Sequence, residues 1–308
     1  MPPDREPRRG APILLTGRTG QLGWELQRAL SPLGPVLALG RAELDLAEPE
    51  SVRKAVRDAR PRLIVNAGAY TAVDRAEQDA DIARRVNAES PRVLAEEASA
   101  LGIPLVHYST DYVFDGEKAV PYVESDATRP QSCYGRTKLA GEQAIETCAP
   151  QGVIFRTSWV FGEVGGNFVR TILRLASERD ALRVVADQVG APTPAALLAD
   201  VTAHVIRSLD KDGWPAARVF HVASSHDVSW HAFAQAIVAK SLELGMTLRL
   251  RPEAIEAITS AEYPTPAKRP KNSRLDCGAL GSTFSLVLPD WAPYLERMLL
   301  RDAGGRAR

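Results

Sequence analysis

Apolar residues fall along this chain in short runs separated by amphipathic stretches, and the two kinds alternate. Ala11-Pro12-Ile13-Leu14-Leu15, Val36-Leu37-Ala38-Leu39, Leu63-Ile64-Val65-Asn66, Leu105-Val106-His107-Tyr108 and Val153-Ile154-Phe155 are runs of the kind that fill strands buried on both faces. Between them, Trp24 to Leu30, Pro49 to about Ala59 and Asp81 to Ala100 carry apolar residues at helical spacing. Pro49 suits a first helical turn and Gly102 a helix stop. The alternation predicts an α/β fold of the Rossmann type: a doubly wound parallel sheet with helices on both faces, and ligands at the carboxyl ends of the strands. Beyond Phe155 the pattern loosens. Helices are predicted over residues 167–176, 195–209 and 230–244, the last capped by Ser229, with a short strand over 219–222, an ordered loop over 264–270 and a closing helix over 291–300. The predicted division is a disordered tail over residues 1–10, a Rossmann domain over 11–155, and a smaller lobe mainly over 156–300. Some segments of that lobe return to the first domain, a cleft lies between the two, and a second tail covers 301–308.

The first run opens directly into Thr16-Gly17-Arg18-Thr19-Gly20-Gln21-Leu22-Gly23, with a helix to follow. Glycines after a first strand and before a helix are what dinucleotide binding needs: a tight turn, close backbone approach to a pyrophosphate, and a helix N-terminus facing its charge. The spacing is GxxGxxG rather than GxGxxG, and a tight structural turn is the alternative. The candidate cofactor residues are Gly17, Thr19, Gly20, Gln21, Leu22 and Gly23 in this turn, and Arg41, Asp45 and Leu46 after the second run. Ala67, Ala69, Tyr70 and Thr71 follow the third run, and Tyr108 lies in the fourth. A carboxylate at the end of strand two would accept from a ribose 2′-hydroxyl and repel a 2′-phosphate. Here Gly40 and Arg41 stand there, which predicts NADPH at least as good as NADH, with Arg41 near the 2′-phosphate. Asp45 is placed to reach back to the ribose and support NADH, and a solvated Arg41 is the alternative.

Composition excludes several classes. With 45% hydrophobic and 25% charged residues over 308 positions, the chain reads as a globular protein large enough for one big domain or two intimate ones. A formal net charge of zero removes the footprint of non-specific nucleic-acid binding, and the arginines at both ends read as solvated tails. No apolar stretch approaches the roughly 18 residues of a membrane span. Met1 to Gly10 lacks the apolar segment of a signal peptide. Cys133, Cys148 and Cys277 are odd in number without CxxC spacing, as expected of reduced thiols in the cytoplasm.

Tyr134 and Lys138 are four apart, so on a helix they share one face. An ammonium beside a phenol favours the phenolate and brings proton exchange toward neutral pH. Ser109-Thr110, delivered by the fourth run, lies upstream of this pair.

Four segments resemble the dTDP-4-dehydrorhamnose reductases, atypical members of the short-chain dehydrogenase/reductase superfamily. They are Gly17 to Leu26, Tyr108-Ser109-Thr110-Asp111-Tyr112-Val113-Phe114, Tyr134-Gly135-Arg136-Thr137-Lys138 through Glu142, and Phe155-Arg156-Thr157-Ser158-Trp159-Val160. Tyr263 to Ala267 and Arg269-Pro270-Lys271-Asn272-Ser273-Arg274-Leu275 extend the likeness to residues 12 to 300. The resemblance implies NAD(P)H-dependent reduction of the C4 ketone of dTDP-4-dehydro-β-L-rhamnose, in cell-surface polysaccharide synthesis. It implies Tyr134 as general acid, Lys138 as the cation that lowers its pKa and holds the nicotinamide ribose, and Thr110 as a donor to the carbonyl. Asp111 and Trp159 match positions associated with the sugar nucleotide. Asn167, Arg269 and Asn272 are further substrate candidates, or ties between the lobes. Some relatives form dimers supported by a divalent metal such as Mg2+, held by a glutamate where this chain has Ala195-Ala196-Leu197, so a homodimer is implied but no metal ligand is carried over. Glu25 reads as a solvated helix acid. The rival readings are another nucleotide-sugar 4-ketoreductase, an epimerase or dehydratase that recycles NAD+, and a regulatory homologue without chemistry.

Overall fold

In the computed structural model, which describes residues 10–305 except 150 and 217, the five apolar runs are strands of one sheet. They are β1 (Ile13–Thr16), β2 (Val36–Leu39), β3 (Leu63–Asn66), β4 (Leu105–Thr110) and β5 (Gly152–Thr157), with β6 (Arg218–His221) at the far edge. The order is β6-β5-β4-β3-β1-β2 and every pairing is parallel. The chain leaves β1 toward one edge and returns at β3 on its other side. The loops after these two strands therefore diverge and open a crevice at their carboxyl ends.

The long helices are α1 (Gln21–Leu30), α2 (Pro49–Ala59), α3 (Ser90–Leu101), α4 (Cys133–Cys148), α5 (Phe168–Glu178), α6 (Ala195–Asp212), α7 (Trp230–Glu243) and α8 (Ala292–Gly305). Successive strand residues face opposite sides of the sheet, so a strand without polar interruptions makes two cores. Ile13, Leu15, Val65, Val106 and Phe155 pack with α1 and α6 on one side. Leu14, Ile64, Leu105 and Ile154 pack with α2, α3 and α4 on the other. A separate core beyond the sheet joins Val169 and Ile172 of α5, Phe233 and Ile237 of α7, and Leu295 of α8. Ser229 caps α7 as the sequence predicts, accepting from the amide of Ala232.

The short strand predicted after residue 218 is a segment that returns to the first domain: it extends the main sheet through β5, and its apolar side chains complete the core beside Phe155. Two departures stand beside it. The helix predicted over 81–100 is broken at residues 85–89, which take a wider π turn before α3. Pro91 has no amide hydrogen for the Asn87 carbonyl, which instead abuts Gly141 of α4, where any Cβ would collide. The last helix continues to Gly305, into the stretch read as a tail, while residues 1–9 and 306–308 of the two tails lie outside the described residues.

Beside the end of β5, Arg156 grips Glu142 of α4 with Nε–Oε1 at 3.0 Å and Nη2–Oε2 at 2.6 Å, their side chains only 6% and 2% exposed. The guanidinium also lies over the Phe114 ring, 5.1 Å from its centroid. Removing one partner of such a pair strands a buried charge. Glu142→Leu is expected to cost about 3–5 kcal/mol in urea unfolding, whereas a loss under about 1 kcal/mol would mean that water reaches Arg156.

Candidate active site

Gly17 turns the chain out of β1 with φ of 74°, and a Cβ on it would lie 2.7 Å from the Gly68 Cα at the end of β3. Only glycine allows both the left-handed conformation and this approach. Gly20 begins α1 with no capping side chain, so the first-turn amides keep their hydrogen-bonding capacity and face the crevice. A pyrophosphate fits this cradle by charge and by steric allowance. Gln21, Ala67, Ala69, Tyr70 and Leu46 are partly buried around it, while Thr19 and Thr71 are exposed and Leu22 packs toward the core. Tyr70 is held by Asn87, whose side chain accepts from the Tyr70 amide at 2.9 Å and donates to its carbonyl at 3.0 Å.

At the end of β2 the structure brings up a different arginine from the one expected. Arg18, carried by the glycine turn, lies over Gly40: a Cβ there would come within 3.3 Å of Arg18 Nε. Its Nη2 donates to Glu43 at 2.7 Å, and the other Glu43 oxygen accepts from the Gly40 amide at 3.0 Å. Arg41 is 84% exposed and only loosely paired with Asp45 at 3.8 Å. Asp45 spends an oxygen on the amide of Ala47.

Thr110 closes β4 and Tyr134 lies on the first turn of α4, which Ser132 caps by accepting from the Gly135 amide at 3.1 Å. Tyr134 packs edge-on against Tyr112 at 5.5 Å. Burial pushes its phenol up from the ordinary value, with Thr110 drawing it back and the Asp111 carboxylate adding to the rise. Lys138 does not hydrogen-bond to that phenol. Its four-carbon stem carries the ammonium on to β4, where it donates to the Tyr108 carbonyl at 2.5 Å and reaches His107 Nε2 at 3.1 Å. Helical spacing put the two side chains on one face, but the length of the lysine decided where its charge lies. The phenol is therefore shifted upward by burial, where the resemblance implies a pKa lowered by Lys138. Burial lowers Lys138 to about 8, opposed by Glu142. Tyr108 itself points its hydroxyl into the core, 2.6 Å from Thr202, so its carbonyl is the part that faces the site.

Asp111 accepts from the Thr110 hydroxyl at 3.0 Å, while its Oδ2 is buried without a hydrogen-bond partner. Burial raises its carboxyl to about 6, tempered by the hydroxyls of Ser273 and Thr110. A buried carboxyl with one unpartnered oxygen at the mouth of β4 suits a polar ligand group. Trp159 follows β5 in a left-handed conformation, φ 50°, and stacks on Trp230 with centroids 3.5 Å apart. Trp230 in turn meets Phe168 at 4.5 Å. The remaining candidates are engaged locally. Asn167 donates to Gln21 at 2.9 Å and to Gly162 and caps α5, tying the glycine turn to the second lobe. Arg269 forks onto Asp74 at 2.8 and 3.2 Å. Asn272 donates to the carbonyls of Lys118 and Val120 and accepts from Arg274.

Arg18, Glu43, Asn87, His107 and Trp230 are absent from the expected set. An ionisable residue inside an otherwise apolar strand was the available signal for His107, and an arginine inside the glycine turn the signal for Arg18. Glu25 is also not the solvated acid expected: it is 8% exposed, because α1 packs on α6, and Arg28 reaches it at 3.3 Å. Among the described residues no group of three or more His, Cys, Asp or Glu side chains is placed to hold a metal, and no helix is long and apolar enough to cross a membrane.

Comparison with known proteins agrees with this geometry. The family model described as the RmlD substrate binding domain matches residues 11–303. The dTDP-4-dehydrorhamnose reductase of Escherichia coli (strain K12) is 47% identical over 292 residues, 93% of this chain and 96% of that protein. A protein of Streptomyces antibioticus named as a probable dTDP-4,6-dihydroxy-2-methyloxan-3-one 4-ketoreductase is 40% identical over 297 residues, 94% of this chain and 93% of that one. The crystal structure of dTDP-4-dehydrorhamnose reductase from Bacillus anthracis in complex with NADP superimposes with a TM-score of 0.85 at 33% identity, covering 95% of this chain and 99% of the other. A glycine cradle at the end of β1, a Tyr-Lys helix beside β4 and full-length likeness at this level make the chain a member of the dTDP-4-dehydrorhamnose reductase family.

Proposed function

We propose that this protein reduces the C4 ketone of dTDP-4-dehydro-β-L-rhamnose to dTDP-L-rhamnose. The observation that carries the reading is the convergence of Thr110, Tyr134 and Lys138 at the carboxyl end of β4, next to the glycine cradle after β1. The nicotinamide cofactor, when bound, supplies the hydride. Tyr134, kept protonated by burial, gives its proton to the carbonyl oxygen as negative charge grows there, and Thr110 steadies that oxygen. The nearby Lys138 charge offsets the phenolate left behind. Asp111, with its free Oδ2, is the group for a sugar hydroxyl. A cytoplasmic location is part of this reading, in keeping with free thiols at Cys133, Cys148 and Cys277. The Streptomyces antibioticus relative favours one second reading, a different dTDP-4-keto-sugar as substrate. Turnover of NADPH on a panel of such sugars decides between them.

Tyr134→Phe is expected to lower kcat by about two to four orders of magnitude with little change in cofactor affinity, since only the transferable proton is lost. Retention of most activity would remove Tyr134 as the acid. Lys138→Met should also abolish most turnover, yet stabilise the fold at neutral pH. The folded Lys138 is lowered to about 8 from an ordinary 10.5, so below about 8 its buried charge costs on the order of 3 kcal/mol. That cost fades as pH rises from the folded value toward the unfolded one, so the stability difference between variant and wild type should shrink over the same range. Thermal melts from pH 7 to 10 check this, and a variant less stable at every pH would contradict it.

For cofactor choice the reading shifts from Arg41 to Arg18. Arg18, over Gly40, is the cation for a 2′-phosphate once Glu43 releases it, and Glu43 is the carboxylate for a free 2′-hydroxyl, so the pair suits both NADPH and NADH. Arg18→Ala should lower the NADPH-to-NADH ratio of kcat/KM roughly tenfold, about one hydrogen-bonded charge contact, while Arg41→Ala leaves it nearly unchanged. The reverse pattern would return the phosphate to Arg41.

Trp159 and Trp230 act in this reading as one aromatic wall for the nucleotide. Alanine at either position should raise KM for the sugar nucleotide without changing KM for the cofactor. If only melting temperature falls, the pair is packing.

A further inference from the structure

Residues 267–272 run between two loops of the first domain and are held on both sides. Asp74, in the short helix Val73–Ala76 after β3, accepts from Arg269 Nη2 at 2.8 Å, Nη1 at 3.2 Å and the Ala267 amide at 3.3 Å. On the other side Pro270 lies against Gly116, where an added Cβ would come within 2.5 Å of the Pro270 Cα. Asn272 donates to the carbonyls of Lys118 and Val120 in the same loop. The backbone is thus fixed before and after Arg269.

A guanidinium carries five N–H groups in a rigid fork. Asp74 takes one from each Nη of Arg269, at the end of the fork. Among the described residues nothing accepts from Nε or from the outer Nη hydrogens. That side edge, Nε with one Nη, can donate in parallel to two oxygens of one phosphate. The side chain is 28% exposed, so a ligand can reach it. Lys268, next to it, turns instead to Gln131 and Glu117.

The place of Arg269 relative to the catalytic phenol is informative. Tyr112 and Tyr134 meet edge-on with ring centroids 5.5 Å apart. Burial first and the Asp111 charge second push the Tyr112 phenol up, and the Arg269 charge opposes them. The same charge does not act on the Tyr134 phenol. Arg269 therefore lies beyond Tyr112, about one six-membered ring away from the acid. In a 4-keto sugar the ketone carbon and the carbon bearing the diphosphate are opposite corners of one six-membered ring. With the ketone oxygen at Tyr134, the sugar-linked phosphate falls toward Arg269. Phosphates leaving water need such a cation, and the glycine cradle after β1 is taken by the cofactor.

We propose that Arg269 binds the sugar-linked phosphate of the substrate and that Asp74 is a positioning residue, holding the guanidinium so that its Nε edge is left for the ligand. The pair then selects a nucleoside diphosphate over a monophosphate. This rests on the reading that Tyr134 meets the ketone, but its test needs no turnover.

The experiment is titration calorimetry on the full chain saturated with NADP+, using dTDP and dTMP, which differ by that phosphate. Arg269→Ala is expected to weaken dTDP about tenfold to a hundredfold, the loss of one charge-assisted contact, and to leave dTMP within about twofold. Arg269→Lys, which keeps the charge without the fork, should weaken dTDP by a smaller factor. Asp74→Asn should also weaken dTDP selectively, by less than Arg269→Ala. An equal loss for both ligands, or none, in Arg269→Ala overturns the proposal. Tighter dTDP in Asp74→Asn would mean that Asp74 competes with the phosphate, and overturns the positioning role. If Arg269→Ala does not fold, Arg269→Lys decides with the same two ligands. Failure of the reductase reading would show instead as absent turnover with the preference for dTDP intact.

Discussion

A lysine ammonium at 2% exposure is the most demanding group in this structure, and much of the surrounding architecture serves it. Taking a charge out of water costs several kcal/mol unless acceptors replace the hydration shell. The Tyr108 carbonyl is available because the end of β4 leaves that oxygen facing α4. His107 can approach from the same strand because Asn66 and Thr16, on neighbouring strands, fill its other side. Glu142, one turn along α4, adds a negative field, and Arg156 holds that carboxylate in place through two hydrogen bonds. The site thus draws on four strands and one helix, and a displacement of any of them would be felt at Lys138.

The doubly wound sheet makes this possible. Strands buried on both faces tolerate few polar residues, so Thr16, Asn66 and His107 must be satisfied laterally, along the sheet, rather than by solvent. The same topology separates the loops after β1 and β3, which gives the glycine turn room. Close approach is built in by small residues at the contacts: Gly17 against Gly68, and Gly141 against the Asn87 carbonyl that Pro91 leaves free.

Two neighbouring arginines show how register outranks order in the chain. Arg41 follows β2 directly and points into solvent. Arg18 follows β1, yet parallel pairing of Thr16 with Leu39 sets its backbone amide on the Leu39 carbonyl at 3.2 Å and its side chain over Gly40. Glu43 then holds the guanidinium there. The second lobe is fastened in a similar way, through Asn167 to Gln21 and through Arg269 to Asp74, by polar groups that also resembled ligand contacts.

The sequence by itself determined what depends on residues within a turn or two of each other. Apolar runs such as Leu63-Ile64-Val65 specify buried strands, the Gly17–Gly23 spacing specifies a phosphate-sized turn, and Tyr134 and Lys138 share a helix face because helical periodicity requires it. The five main strands and the sheet they form were legible on those grounds. Tertiary structure decided everything that joins distant positions. It gave the lysine charge to Tyr108 and His107 rather than to the phenol, placed Arg18 instead of Arg41 over the end of β2, and stacked Trp159 on Trp230. It also bound Asn272 to Lys118 and Val120. Strand register and side-chain reach set those contacts, and neither is written in the local pattern of apolar and polar residues.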